Sequence, residues 1–200
     1  MIRLRRPSEE EIGACLGSSD VPFSYSEVGA TADFASLESL EVSYDVDRNQ
    51  FSLGTGRDLF ERARSSLMSW RHFDIPWLEL YGAKEQVSSG HVVATLTRAA
   101  AIWYLNPCRV VYTEGTSDSA SDAAFAYGTL PGHVERGEER FRVHFNPITD
   151  QVTYEVVAFS RPAILLSKIG HRWVRRIQKR FVASTAEALA RACRPTRRCS

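Results

Sequence analysis

Apolar and polar residues alternate along most of the chain from Trp77 to Phe159, the two-residue period of half-buried β-strands. The pattern predicts strands at Trp77–Tyr81, His91–Thr97, Ala101–Leu105, Arg109–Thr113, Ala123–Leu130, Glu139–Phe145 and Gln151–Phe159. Asn106-Pro107, Pro131-Gly132 and Asn146-Pro147 punctuate this run as turns, because proline and glycine favour turn backbone and break ladders. Connections this short, with no helical period between them, predict an antiparallel meander. Upstream, Leu40, Val42, Tyr44 and Val46 alternate too and predict one more strand.

Two stretches switch to a helical period. Leu59, Ala63, Leu67 and Trp70 share one face of a helix that begins after Gly54-Thr55-Gly56, with Thr55 as N-cap, and ends near Arg71 or His72. Pro76 lies beyond its exit. Leu166, Ile169, Trp173, Ile177 and Phe181 recur every three or four residues, with Arg172, Arg175, Arg176, Lys179 and Arg180 between them. They predict a long helix opened by Ser160-Arg161-Pro162, bent at Gly170 and reaching about Ala192. A short capped helix is expected at Pro7–Ile12 and a loop from Ser18 to Ala32.

The apolar stripe of the last helix needs a surface to cover, and the sheet is the surface available. The fold class expected is α+β: an antiparallel sheet wrapped around a long C-terminal helix, with a shorter helix in the N-terminal third. By analogy this is the layout of a helix-grip domain. No repeat, low-complexity tract or linker interrupts the chain, so residues 1–200 read as a single domain with a basic tail at 194–200.

Composition narrows the function classes. With 200 residues, 44% of them apolar and 24% charged, the chain can bury a core without metal or disulfide staples. A formal net charge of +1 supplies no global field for nucleic acid. Arg194, Arg197 and Arg198 form a tail without interleaved aromatics, read as solvated. Cys15, Cys108, Cys193 and Cys199 show no paired spacing, and His72, His91, His133, His144 and His171 show no metal-ligand spacing. No cofactor is therefore expected. Met1 to Arg6 is basic but leads into Ser8–Glu11 rather than an apolar stretch, and no apolar run has the length of a membrane span. A cytoplasmic protein with reduced thiols is the expectation. Gly54-Thr55-Gly56 lacks the glycine and lysine of a phosphate loop and reads as a plain helix start.

Several motifs carry a family resemblance. They are Phe23-Ser-Tyr25-Ser-Glu27-Val-Gly29-Ala-Thr31, Leu67-Met-Ser-Trp70-Arg71, the central run from Phe125 to Glu139, Phe159-Ser-Arg161-Pro162, and Arg176-Ile-Gln178-Lys-Arg180-Phe181. Together, from about Pro22 to Leu189, the chain resembles the DUF1990 (UPF0548) family of unknown function. Val134 departs from the pattern, where the family favours proline. The family has no assigned activity, so the resemblance implies no catalytic residues; it points to Tyr127–Glu139 as the place where a local function would sit.

In that run, strand parity sorts the side chains. Phe141, Val143 and Phe145 share the buried face, and Glu139 shares it with them, whereas Glu138, Arg140, Arg142 and His144 face the other way. Phe125, Tyr127 and Thr129 also share a face. His133, after the Pro131-Gly132 turn, can fold back toward Glu139, whose carboxylate would then raise the imidazole pKa. Tyr127, His133 and Glu139 thus read either as a polar triplet at a pocket mouth or as part of a hairpin tip with solvated ion pairs. Trp70, Trp77, Trp103, Tyr104, Trp173 and Phe181 read singly as core and together as the lining of an apolar cavity.

The expected function is binding of an apolar or amphipathic small molecule between sheet and C-terminal helix, with Tyr127, His133, Glu139, Trp103 and Trp173 as its contacts. A hydrolase or isomerase using a His133/Glu139 pair is the alternative. A third is a protein partner for the basic face of the last helix. Oligomeric state is not encoded legibly.

Overall fold

The computed structural model describes every residue except 18, 100, 116–119, 164–170 and 195–200; of Phe34 and residues 171–174 it describes the backbone. Its strands are β1 (Ile2–Arg3), β2 (Asp45–Thr55), β3 (Leu78–Tyr81), β4 (Val92–Ala99), β5 (Ile102–Glu114), β6 (Asp122–Thr129), β7 (Glu135–Asn146) and β8 (Gln151–Pro162). Its helices are α1 (Glu9–Leu16), α2 (Phe34–Leu40), α3 (Arg57–Met68) and α4 (His171–Ala192). The sheet order is β2-β8-β7-β6-β5-β4-β3, with β1 joined to β5, and every pairing is antiparallel. The α+β layout with a long C-terminal helix and a shorter N-terminal one is as the patterning predicts.

Five local expectations are corrected. The alternation of Leu40, Val42, Tyr44 and Val46 spans a helix end, a turn and the start of β2. Asp33 accepts from the Ser36 N–H at 2.9 Å and caps α2, while Val42 is 94% exposed in the following turn. Asn106-Pro107 is no turn: β5 runs straight through it. The Pro107 carbonyl accepts from Leu130 just past the end of β6, so its missing N–H faces a place where no ladder bond is due. Ser160-Arg161-Pro162 extends β8, pairing with Gly137, Arg136 and Glu135, and does not open the last helix. Finally, α3 ends at Met68; Trp70 takes a left-handed φ of 62° and leads a single 3-10 turn, Arg71–Phe73. The start of α3 follows Gly56, not Thr55.

The inner face of the sheet carries the main core. Phe60, Ala63 and Leu67 of α3 pack there with Phe125, Phe141 and Tyr154, all fully buried. On α4 the buried positions are Val182, Thr185, Ala186, Ala188 and Leu189, which recur at three- and four-residue intervals as a helix face requires. Ile177 and Phe181 are half-buried. Leu166, Ile169 and Gly170, part of the predicted stripe, lie outside the described residues. The outer face has two smaller covers. Helix α1, closed by a reciprocal Ser8–Glu11 capping box, packs Ile12 and Cys15 onto Ala94, Leu96 and Leu105. Tyr25, Leu37 and Tyr44 pack onto Val157 and Phe159.

Candidate functional site

Strands β6 and β7 place Tyr127 directly opposite Glu139, so the two side chains share the inner face at contact distance. The Tyr127 hydroxyl donates to Glu139 Oε2 at 2.7 Å. Glu139 is half-buried, and the surface it keeps lines a cavity of about 350 Å³ between the sheet and the first described turns of α4. Burial pushes its carboxyl up to about 7; Glu135 and Asp47 add to the rise and the Tyr127 bond opposes it. Burial also keeps the Tyr127 phenol protonated, well above its ordinary value.

Two further acids border the same space. Glu135 accepts from the Gln178 amide through both oxygens, at 2.9 and 2.8 Å, and burial raises its pKa. Asp47 on β2 is held bidentately by Arg175, with one contact at 2.6 Å. The apolar share of the lining includes Trp77, Leu78, Val156 and Phe181. Arg180 lies over the Trp77 ring at 4.6 Å.

His133 lines the cavity with Glu139, but the hydrogen-bonded His–Glu pair expected from the turn does not form among the described contacts. Its Nδ1 lies 2.9 Å from the Glu135 backbone nitrogen and 3.1 Å from the Glu135 carbonyl oxygen, so the ring is tied to the Glu135 backbone. Burial, helped by the Met1 ammonium, pushes the imidazole down to about 3, the reverse of the expected rise. The partner of Glu139 is Tyr127.

Trp103 is a second correction. Parity along β5 turns Tyr104 and Asn106 into the cavity and Trp103 and Leu105 to the outer face. There Trp103 lies between the guanidinium groups of Arg6 and Arg98, at 5.2 and 5.6 Å. The Trp173 side chain lies outside the described residues.

The hairpin-tip alternative fails for the acids. Strand β7 already begins at Glu135, and Glu138 is 2% exposed on the outer face. Glu138 accepts from Tyr25 Oη at 2.7 Å, Gly29 N at 2.7 Å, Thr31 N at 3.1 Å and the Thr31 hydroxyl. Gly128, opposite Glu138, leaves room for the Tyr25 ring: a Cβ there would stand 2.1 Å from Tyr25 Oη. Sequence reasoning missed Asp47, Gln178 and this anchor; parity alone marked Glu138 as outward without showing what covers it.

A more open hollow of about 510 Å³ lies beside Trp70, Ile75 and Leu80 and holds no cluster of buried acids. Among the described residues no group of His, Cys, Asp or Glu is placed to hold a metal, and no helix is long and apolar enough to cross a membrane.

An antiparallel sheet wrapped on a long C-terminal helix, with a cavity between the two, defines a helix-grip domain. The chain belongs to DUF1990, a domain of unknown function, which it matches over residues 24–188. It is 31% identical to a UPF0548 protein of Dictyostelium discoideum, across 96% of this chain and 95% of that one. It is 29% identical to a UPF0548 protein of Arabidopsis thaliana, across 92% and 93%. Among solved structures, the Zhui aromatase/cyclase of Streptomyces sp. R1128 has a similar fold, with a TM-score of 0.54 at 12% identity over 75% of this chain and 93% of that one. A hypothetical protein of Helicobacter pylori gives 0.54 at 11% over 75% and 88%. Identities this low concern the fold alone.

Proposed function

We propose that this protein binds one apolar or amphipathic small molecule in the cavity between the sheet and α4. The observation that carries the reading is the cavity itself. At about 350 Å³, with Trp77, Val156 and Phe181 beside Tyr127, His133 and Glu139, it combines apolar walls with a few polar groups. Ligand sites are typically built that way, from roughly 300 Å³ upward. The fold shared with an aromatase/cyclase is compatible with it by analogy only. Ala158, opposite Glu139 on β8 and on the cavity wall, offers the test. Native mass spectrometry of freshly purified protein should show a bound small molecule that is absent from Ala158→Phe. Equal adducts on both, with both folded, would place any bound molecule elsewhere.

One observation favours a second reading, an enzyme that moves a proton. A carboxyl held at about 7 can give or take a proton near neutrality, and Tyr127 fixes its orientation. Under that reading Glu139→Gln keeps the ligand and loses turnover.

A further inference from the structure

The polar groups of the cavity are unequal in sign and depth. Glu139 and Glu135 are half-buried, and Glu139 Oε2 takes its hydrogen bond from a neutral phenol while Glu135 takes its bonds from a neutral amide. Among the described residues no cationic side chain makes an ion pair with Glu139, and none donates to its Oε1. Arg175 is bound to Asp47. His133 is held as a neutral ring.

Among the described residues the cations that line the cavity, Arg98, Lys179 and Arg180, are exposed, and the half-buried Arg175 beside it is taken up by Asp47. Arg98 leans on Trp103 and Arg180 on Trp77. Exposed charges are screened by water and salt and contribute little to the field inside. A half-buried carboxylate without a cation is costly, and a ligand that brings a positive charge relieves that cost. The apolar wall beside it offers the same ligand a place for a hydrocarbon or aromatic body.

We propose that the ligand of this cavity carries a protonated nitrogen, an amine or amidine, which seats on Glu139 while its apolar body lies against Trp77, Val156 and Phe181. The assignment rests on the small-molecule reading above and narrows it to one chemical class. It also gives the Tyr127 hydroxyl a role. By occupying Oε2 it leaves Oε1 as the acceptor turned to the ligand, so Tyr127 is a positioning residue.

Three probes of equal chain length test this: octylamine, octan-1-ol and octanoate, titrated calorimetrically into wild type and Glu139→Gln. The amine should bind wild type about tenfold or more tighter than the alcohol, the scale of one hydrogen bond to a charged group. Octanoate should be weakest. In Glu139→Gln the amine and alcohol should come within about threefold of each other. Amine and alcohol binding wild type equally, or octanoate binding tightest, overturns the cationic assignment and leaves the small-molecule reading standing. Failure of all three to bind overturns both. The comparison within wild type is decisive on its own, so it holds even where the variant fails to fold.

Discussion

Glu138 and Glu139 are chain neighbours with opposite fates. Glu139 faces the cavity and has one hydroxyl donor. Glu138 faces the outer side and has four donors from Tyr25, Gly29 and Thr31. The first is open to the cavity, and the second fastens the N-terminal segment onto the sheet. Glu138→Ala leaves the Tyr25 hydroxyl and the Gly29 and Thr31 amides without their acceptor and should cost about 3 kcal/mol or more, whereas exposed Glu10→Ala should cost under about half a kcal/mol. Urea melts of the two variants check this; similar losses would mean that Glu138 is not the anchor. For Glu139 the sign runs the unusual way for a carboxylate. Its folded pKa, about 7, lies above the ordinary 4.5, so the folded state holds the proton more tightly. Stability from this group is full below the unfolded value and lost as pH rises through the folded one. Glu139→Gln, neutral throughout, should therefore gain on wild type as melts move from about pH 5 to about pH 8. A pH-independent difference would show that the carboxyl is ionised across the range. Parity along β7 made the inward turn of Glu139 legible from sequence, since Phe141, Val143 and Phe145 set the buried side. The neutral partner was not legible: the choice of Tyr127 over His133 depends on a two-strand register and on the bend that aims Nδ1 at the Glu135 backbone.

At the scale of elements, the long alternating run translated into strands almost one for one, because half-burial imposes a period that survives in the residues themselves. The errors fall where a local signal met a tertiary one. Asn106-Pro107 has turn chemistry, yet the bond that proline cannot make is not required at the end of β6. Ser160-Arg161-Pro162 has the look of a helix start, yet β7 offers partners out to Glu135 and the strand continues. The helical period of α4 was legible, and its described buried positions run from Val182 to Leu189. Leu189 is fully buried against the α3 side of the core, and Arg176 is exposed. Leu189→Ala should cost ~2–5 kcal/mol and Arg176→Ala under about half a kcal/mol. Comparable losses in denaturant melts would put the buried face of α4 elsewhere.

The whole molecule is a sheet with unequal covers. The outer face is closed in patches by α1 and by the segment around Tyr25, Leu37 and Tyr44. The inner face is sealed at one end by α3, the Trp70–Phe73 turn and the last turns of α4. At the other end, where β7 begins and Gln178 meets Glu135, the side chains stop short of one another and leave the cavity. Along α4, Val182 to Leu189 pack the core and Ile177 to Phe181 border the cavity. The measurement that tests this most directly is an NMR titration with the neutral apolar probe N-phenyl-1-naphthylamine, followed through backbone amide shifts. The account predicts saturable binding at one site, with shifts centred on Tyr127, Glu139, Ala158 and Gln178, and loss of binding in Ala158→Phe. Shifts spread over the surface, or centred on the outer face near Trp103, would contradict it.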